Sequence, residues 1–247
     1  MKNLCATILG FAALFASGIA NAACRDVVKD DQRYAVCAFD PASDDIRLFL
    51  NGADGAPFGD FNSLEAALGA EDEKLLFAMN AGMYRKDRSP AGLYIEEGEQ
   101  ARKLSTREGP GNFHLKPNGV FWIGEDRDAH VTETQSYKET APDARFATQS
   151  GPMLVIDGEI HPKFLKESTS RKRRNGVGVK KDGAVVFVLA DAPVTLFDFA
   201  SFFRDDLECP NALYLDGSIS RLYAPGLDRN DGGLPMGPMV GVVEKAK

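Results

Sequence analysis

Short apolar runs that end in turn residues recur along most of this chain, and they constrain its fold more than any other feature of the sequence. Such runs, bounded by Gly, Pro, Asn or Asp, predict β-strands. Helical periodicity with capping residues is confined to residues 62–69 and 195–207. The chain is therefore expected to be rich in β-structure. The predicted strands span residues 34–39, 46–50, 75–79, 93–96, 120–123, 153–156, 177–180, 184–190 and 212–215.

Residues 184–215 set the expected topology, because a strand, an amphipathic helix and a second strand follow one another there. This order predicts a right-handed crossover whose two strands are parallel. We therefore predict an α+β fold: a single domain with a mixed β-sheet core, one parallel βαβ crossover and few helices. Ligands in open α/β sheets bind beyond the carboxyl ends of such strands. Asp191 and Asp216 follow the two strands, and Asn80 follows a third if its strand joins the same sheet.

The N-terminus has the pattern of a secretory signal peptide. A lysine precedes an apolar run, and Ala20-Asn21-Ala22 matches the cleavage pattern of small residues. We predict a signal peptide at residues 1–22 and a periplasmic or secreted mature domain at residues 23–247. Cys24 leaves a lipoprotein signal open, although Asn21 stands where such signals usually carry an aliphatic residue. We expect no transmembrane segment in the mature chain, because no later stretch is long and apolar enough.

The charge balance excludes one large class of partners. Removal of residues 1–22 takes away one lysine and no acidic residue from the chain's 29 basic and 36 acidic residues. A general nucleic-acid-binding protein needs a dominant basic surface, so we expect no nucleic-acid partner. The one basic cluster, Arg171-Lys172-Arg173-Arg174, has the charge to bind a local anion.

The cysteines predict one disulfide bond. Cys24 and Cys37 are close enough in sequence to close a short loop in an oxidising compartment. That pairing leaves Cys209, whose apolar neighbours favour a buried and unreactive thiol. Cysteines and histidines are too few and too widely spread for a structural zinc site.

Three short motifs resemble a known family. They are Asn80-Ala81-Gly82-Met83-Tyr84, Arg174 with Gly178 four positions later, and Leu215-Asp216-Gly217-Ser218-Ile219-Ser220. In order and spacing these motifs resemble those of the phosphodiester glycosidases. The usual family pattern has glycines where this chain has Ser218 and Ile219, which narrows the backbone freedom there. The resemblance implies a hydrolase that acts on a sugar joined to a phosphodiester.

The resemblance also implies roles for individual residues. Carboxylates act as base or nucleophile at a glycosidic carbon, and a guanidinium holds two phosphate oxygens at once. Glu159 and His161 lie close together before the Arg174 loop, so either is a candidate general acid, and His114 is a further candidate site histidine. The predicted catalytic residues are Asp216, Asp191 and Glu159. The predicted substrate-binding residues are Asn80, Gly82, Arg174, Gly178, Gly217, Ser218, Ser220 and His161.

Together these observations predict an exported hydrolase that cleaves the glycosidic bond of a sugar-1-phosphodiester or a related envelope glycan. The alternative is a non-catalytic periplasmic protein that binds a sugar phosphate or glycan. A third interpretation is a structural partner of another envelope protein, with an exposed aromatic surface. No cofactor is predicted, and no metal ligand is assigned, although a divalent metal has the charge to share in phosphate binding. The residues of the aromatic surface are Phe197, Phe199, Phe202 and Phe203.

Overall fold

The computed structural model describes residues 23–246, so the predicted signal peptide lies outside the described residues. The described chain is mostly β-structure, and each of the nine predicted strands coincides with an observed strand to within a few residues. The strands are β1 Cys24–Lys29, β2 Gln32–Phe39, β3 Asp45–Phe49, β4 Glu73–Asn80, β5 Tyr94–Glu96, β6 Glu99–Arg102, β7 Gly119–Gly124, β8 Ala129–Glu133, β9 Ala144–Ser150, β10 Met153–Ile156, β11 Glu159–Ile160, β12 Asn175–Val179, β13 Val185–Ala190, β14 Asn211–Asp216, β15 Leu222–Ala224, β16 Arg229–Asn230 and β17 Met239–Lys245. The helices are α1 Phe61–Gly69, α2 Thr134–Thr140 and α3 Leu196–Ser201, which continues into a π-helical turn, Phe202–Asp206.

The strands form three sheets. The first has seven strands in the order β1-β2-β13-β12-β14-β10-β11. The second has the order β16-β15-β4-β17-β3, and the third has the order β6-β5-β9-β7-β8. With helices outside these sheets, the α+β class is confirmed.

The predicted parallel crossover is wrong. Strands β13 and β14 do not pair, because β12 lies between them and pairs antiparallel with both. All strand pairings recorded within residues 23–246 are antiparallel. Since β13 and β14 both run opposite to β12, their carboxyl ends still reach the same edge of the sheet, beside the amino end of β12. Asn80 is not on that sheet, because β4 belongs to the second one.

Three aromatic residues, one from each sheet, pack together in the central core. Phe187 on β13 lies 5.0 Å from Phe77 on β4 and 5.8 Å from Phe121 on β7, measured between ring centroids. Successive side chains of a strand point to opposite faces, and both faces of β13 are buried. The alternate residues Val186 and Val188 therefore pack on the outer side of the sheet. The sequence of β13 is therefore a continuous run of apolar residues, as expected for a strand that is covered on both faces.

Helix α3 and the π-helical turn cover that outer side and bury three of the four phenylalanines considered above, whereas Phe197 is half-buried. Thr195 caps the helix by accepting a hydrogen bond from Asp198 N at 3.0 Å. Phe199, Phe202 and Phe203 are each no more than 2% exposed and pack against the sheet. An interaction surface made of these side chains is therefore wrong, because the protein's own core uses them.

The predicted disulfide bond is confirmed. Cys24 on β1 and Cys37 on β2 are direct cross-strand partners and are covalently joined. Cys209 is free and buried, and burial raises the pKa of its thiol to about 12. No helix within residues 23–246 has the length and apolar character needed to cross a membrane.

Candidate active site

A cleft with a volume of about 760 Å³ opens where β14 ends. One wall comes from the turn after Asp216, and another comes from the loop that follows β4. A third contribution comes from the segment around Leu234 and Pro235. The cleft therefore joins two of the three sequence motifs with a segment that no motif predicted.

Asp216 is the one carboxylate among the described residues that line the cleft. Its Oδ1 accepts hydrogen bonds from Gly217 N at 2.6 Å and Ser218 N at 2.8 Å. Its Oδ2 has only a long contact of 3.4 Å with Ile219 N, so this oxygen is the freer of the two. Burial raises the pKa of Asp216 against the opposing effect of the three backbone N–H groups. The site thus holds a carboxylate in a fixed orientation, with one oxygen available.

A buried pair of polar side chains, Tyr214 and Arg174, lies at the cleft, and only Tyr214 is part of the lining. Tyr214 lines the cleft two residues before Asp216, and its hydroxyl accepts a hydrogen bond from Arg174 Nη1 at 3.1 Å. Arg174 is 1% exposed and also donates to Val194 O at 2.8 Å and Ser170 O at 2.9 Å. None of these three acceptors is a carboxylate. Burial lowers the pKa of Arg174 and raises the pKa of Tyr214 to about 12.

Gly217 allows the turn to approach Tyr214 closely. A Cβ atom at Gly217 would overlap the Tyr214 hydroxyl, and it would lie 3.4 Å from Cβ of Lys172. Lys172 is held beside the turn by reciprocal backbone hydrogen bonds with Val194, at 3.1 and 2.8 Å. Any larger residue at 217 would therefore push the Asp216 turn away from its support.

Four cationic side chains line the cleft, and we call them the basic rim: Arg85, Lys86, Arg88 and Lys172. The first three lie in a tight turn, in which Arg88 N donates to Arg85 O at 2.8 Å. None of the three sequence motifs contains these residues. The available signal was that Arg85 and Lys86 directly follow the Asn80-to-Tyr84 motif, while Lys172 belongs to the one basic cluster of the chain. A basic rim beside a single carboxylate suits an anionic ligand.

Comparisons with known proteins agree with this geometry. The sequence model of the family described as phosphodiester glycosidase matches residues 73–242. The chain belongs to the phosphodiester glycosidase family. It is 35% identical to the uncharacterized protein YigE of Escherichia coli strain K12 over 213 residues, which cover 86% of this chain and 82% of that protein.

Solved structures share the fold of this chain. The catalytic domain of zebrafish N-acetylglucosamine-1-phosphodiester alpha-N-acetylglucosaminidase, auto-inhibited by its pro-peptide, has a TM-score of 0.62 at 16% identity, covering 89% of this chain and 81% of that one. A hypothetical protein from Synechocystis has a TM-score of 0.56 at 14% identity, covering 89% and 61%. A putative exported protein from Burkholderia pseudomallei K96243 has a TM-score of 0.55 at 12% identity, covering 85% and 74%.

Two of the polar motif residues lie beneath the cleft. Asn80 is fully buried, and its side chain donates to Asn175 Oδ1 at 3.2 Å and accepts from Arg221 N at 3.1 Å. Ser220 donates to Arg173 O at 2.9 Å. These contacts tie the second sheet to the first directly behind the Asp216 turn. Like Arg174, neither residue is among those that line the cleft, whereas Gly217 and Ser218 are.

The motif glycines Gly82 and Gly178 permit close packing. Gly82 has a φ of 141°, and a Cβ there would lie 3.0 Å from Thr148 Oγ1. A Cβ at Gly178 would lie 2.8 Å from both Cys209 Sγ and Phe203 Cδ1. Gly178 therefore faces the layer under α3, on the far side of the sheet from the central core.

The other two predicted carboxylates lie away from the cleft. Asp191 Oδ1 accepts from Arg229 Nη1 at 2.8 Å, in a salt-bridge network on the neighbouring strand end. Glu159 is exposed on β11, and the turn before it bonds Asn211 at the amino end of β14. Since Asp216 is five residues further along β14, about 17 Å separates the two ends. The structure therefore does not bring Glu159 and Asp216 together.

The two candidate histidines are also outside the cleft lining. His161 is 1% exposed, stacks on Phe164 at 4.6 Å, and accepts from Lys163 N at 3.2 Å. Burial lowers the pKa of His161 to about 4, so its imidazole is neutral at pH 7. His114 Nδ1 lies 3.1 Å from Arg107 O. Within residues 23–246, no cluster of three or more His, Cys, Asp or Glu side chains forms a metal-binding arrangement.

Proposed function

We propose that this protein is an exported glycosidase that cleaves the bond between the anomeric carbon of a sugar and the oxygen of a phosphodiester. The observation that carries the proposal is the pairing of one buried carboxylate, Asp216, with the basic rim in a single cleft. Membership of the phosphodiester glycosidase family supports a glycosidase-type hydrolase. The arrangement of the cleft supports an anionic substrate.

Asp216 acts at the sugar in this proposal. Its Oδ2 makes no short hydrogen bond to the turn, so it faces the reacting carbon either as the nucleophile or as the base that takes a proton from water. The glycosidic C–O bond breaks, and the phosphate monoester leaves with the electron pair. Water supplies the hydroxyl that completes the free sugar, directly or by hydrolysing a glycosyl-aspartyl intermediate.

A cleft with a single carboxylate is sufficient for such a substrate. A phosphate monoester is a good leaving group, so the reaction needs less help from a general acid than hydrolysis of an ordinary glycoside. The basic rim stabilises the charge that develops on the leaving phosphate. With Asp216 acting at the sugar and the basic rim at the phosphate, the reaction does not require Glu159 or Asp191 at the reacting atoms.

Arg174 contributes through Tyr214 in this proposal. Because the Tyr214 hydroxyl accepts from Arg174 Nη1, its own proton is free to be donated to a ligand in the cleft. Tyr214 lines the cleft and Arg174 does not, so Arg174 does not meet the phosphate in the structure as it stands. It is a positioning residue, and Tyr214 makes the contact.

Export is supported by two features of the chain. The N-terminal sequence has the signal-peptide pattern, and the described chain contains a disulfide bond between Cys24 and Cys37. Disulfide bonds persist in oxidising compartments such as the periplasm. We therefore place the enzyme in the periplasm or outside the cell, acting on a soluble sugar-1-phosphodiester or an envelope glycan.

The test is a screen of sugar-1-phosphodiesters with purified mature protein, measuring released reducing sugar. We expect Asp216→Asn to lower kcat at least about 100-fold, because it keeps the shape and removes the charge. Glu159→Gln is the matched control and should keep wild-type activity, since Glu159 is exposed and remote from the cleft. Full activity in folded Asp216→Asn would refute the assignment of the site.

The basic rim gives a second test. Lys172→Met should raise KM by about 10- to 100-fold, as expected for the loss of one charged hydrogen bond to the phosphate. Lys166→Met, an exposed lysine outside the cleft lining, is the control and should leave KM unchanged. Saturable binding of the same compounds without any sugar release would instead support the non-catalytic binding protein.

A further inference from the structure

An exposed apolar side chain stands at the cleft beside these polar groups. Leu234 is 70% exposed, although it is a large aliphatic residue. Together with Met83, Ile219 and Pro235 it gives the cleft an apolar lining, which we call the apolar strip. Isolated exposed leucines need no explanation, but this one lines a cleft together with three other apolar residues.

The backbone that carries Leu234 is held firmly. Its carbonyl oxygen accepts a hydrogen bond from Arg221 Nη2, and the next carbonyl, of Pro235, accepts from Tyr84 Oη at 3.2 Å. Met236 N then donates to Gly59 O at 2.7 Å, and its side chain is fully buried. The Leu234 side chain is therefore presented to solvent by an anchored segment.

The two ends of the strip are likewise anchored in the protein. Met83 packs against the layer under α3, and Ile219 packs against the cluster that contains α1. Ile219 is also part of the turn that holds Asp216, since its N–H contacts Asp216 Oδ2. The strip is thus continuous with the candidate catalytic turn and requires no rearrangement of the core to receive a ligand.

We propose that the apolar strip binds an apolar substituent on the phosphate, so that the substrate is a sugar-1-phosphodiester whose second ester group is an alkyl or aryl chain. This inference rests on the proposed function and names its substrate class. A phosphodiester has a sugar on one side and a second group on the other, and the basic rim and Asp216 account for the phosphate and the sugar. The second group then meets the rest of the lining, in which the apolar strip lies beside the polar residues Asn112 and Ser218.

The expected effect follows from the burial of methylene groups. Complete burial of one methylene strengthens binding about fourfold. A strip that covers one side of a chain should give about half of that free energy, or about twofold per methylene. From a methyl to a hexyl group, affinity should therefore rise about 30-fold.

The experiment measures Kd for n-alkyl phosphates from methyl to hexyl, which need no turnover. Wild-type protein should bind hexyl phosphate about 30-fold more tightly than methyl phosphate. Leu234→Ser should cut this ratio at least threefold, and Leu165→Ser, at a residue that is also 70% exposed but outside the cleft lining, should preserve it. Equal affinities along the wild-type series, or equal losses in both variants, would overturn the proposal.

Sugar release from the corresponding glycosyl alkyl phosphates separates this inference from the proposed function. Turnover that is independent of chain length keeps the hydrolase and rejects the apolar strip. Binding that depends on chain length, without turnover of any ester, keeps the strip and rejects the hydrolase. A rise in kcat/KM with chain length that is reduced in Leu234→Ser supports both.

Discussion

Replacing Tyr214 by phenylalanine tests whether the buried Arg174–Tyr214 pair serves the cleft as well as the fold. The substitution removes one hydroxyl and leaves the ring in place. Arg174 Nη1 then loses the oxygen that lies 3.1 Å away, and both residues are only 1% exposed. Water has little access to replace the missing acceptor.

The size of the effect follows from this geometry. A hydrogen bond from a charged donor contributes about 1.5 to 3 kcal/mol. For a chain of this length, 1 kcal/mol of unfolding free energy shifts Tm by about 2 to 4 °C, so Tm should fall by about 3 to 12 °C. If the hydroxyl also donates to the phosphate, kcat/KM per folded molecule should fall by a further 10- to 100-fold or so.

The assay combines urea or thermal unfolding with sugar release on the same samples, and Tyr94→Phe is the matched control. Tyr94 is also 1% exposed, and its hydroxyl donates to Glu96 Oε2 at 2.7 Å on a strand outside the cleft. Tyr94→Phe should lose comparable stability and keep its activity per folded molecule. If Tyr214→Phe loses no more activity per folded molecule than Tyr94→Phe, the catalytic role of Tyr214 is refuted.

Three further predictions concern pH, packing and processing. Burial raises the pKa of Asp216, and the proposed reaction needs its ionised form. In a pH–rate profile, kcat/KM should therefore rise with pH, and the pKa that governs this rise should lie above the usual value for aspartate. Because the pKa of Asp216 is raised in the folded state, ionisation of this carboxyl lowers the free energy of unfolding as the pH rises through that pKa. Asp216→Asn should therefore not lose stability at neutral pH. Gly178→Ala should lower the unfolding free energy by about 1 to 3 kcal/mol, with unchanged activity per folded molecule, because its Cβ meets Cys209 and Phe203. Intact mass of the exported protein should give an N-terminus at Ala23, and a lipid adduct on Cys24 would contradict this.

The apolar pattern predicted nine of the seventeen strands within residues 23–246, and β9 is one of the eight that it missed. The sequence of β9 ends in Thr148, Gln149 and Ser150, and all three side chains are buried. Thr148 Oγ1 donates to Ala81 O at 2.8 Å, and Ser150 Oγ donates to Leu215 O at 3.0 Å. The polar side chains of this strand donate hydrogen bonds to the motifs that begin at Asn80 and Leu215. These contacts join residues that are far apart in sequence, so a local pattern does not predict them.

The crossover was mispredicted for a related reason. The succession of a strand, a helix and a strand indicates that the two strands run in the same direction. It does not indicate whether a third strand lies between them in the sheet. Strand β12 precedes β13 in sequence and inserts beside β14, so local order alone could not reveal it. The sheet edge was nevertheless the right place for Asp216, because two antiparallel pairings restore the common direction of β13 and β14.

The family motifs led to the region of the cleft, but they did not distinguish residues that line the cleft from residues that lie buried behind it. Arg174, Asn80 and Ser220 have side chains suited to binding, yet each is buried in contacts with backbone or neighbouring side chains. The basic rim lies largely in a loop without periodicity, where sequence patterns carry little structural information. Burial is the property that separates the two groups, and it depends on the whole fold.

The buried Asp216 carboxylate and the exposed cations of the basic rim respond differently to the binding of an anionic substrate in the proposed reaction. Burial already favours the neutral form of Asp216, and an incoming phosphodiester anion would favour it further by like-charge repulsion. The basic rim opposes that effect when the anion is bound, because its cations lie at the same cleft. Before binding, Arg85, Lys86 and Lys172 are exposed, so their charges are hydrated at little cost. In the proposed reaction the rim therefore has two tasks: it attracts the phosphate, and it offsets the repulsion between that anion and the Asp216 carboxylate.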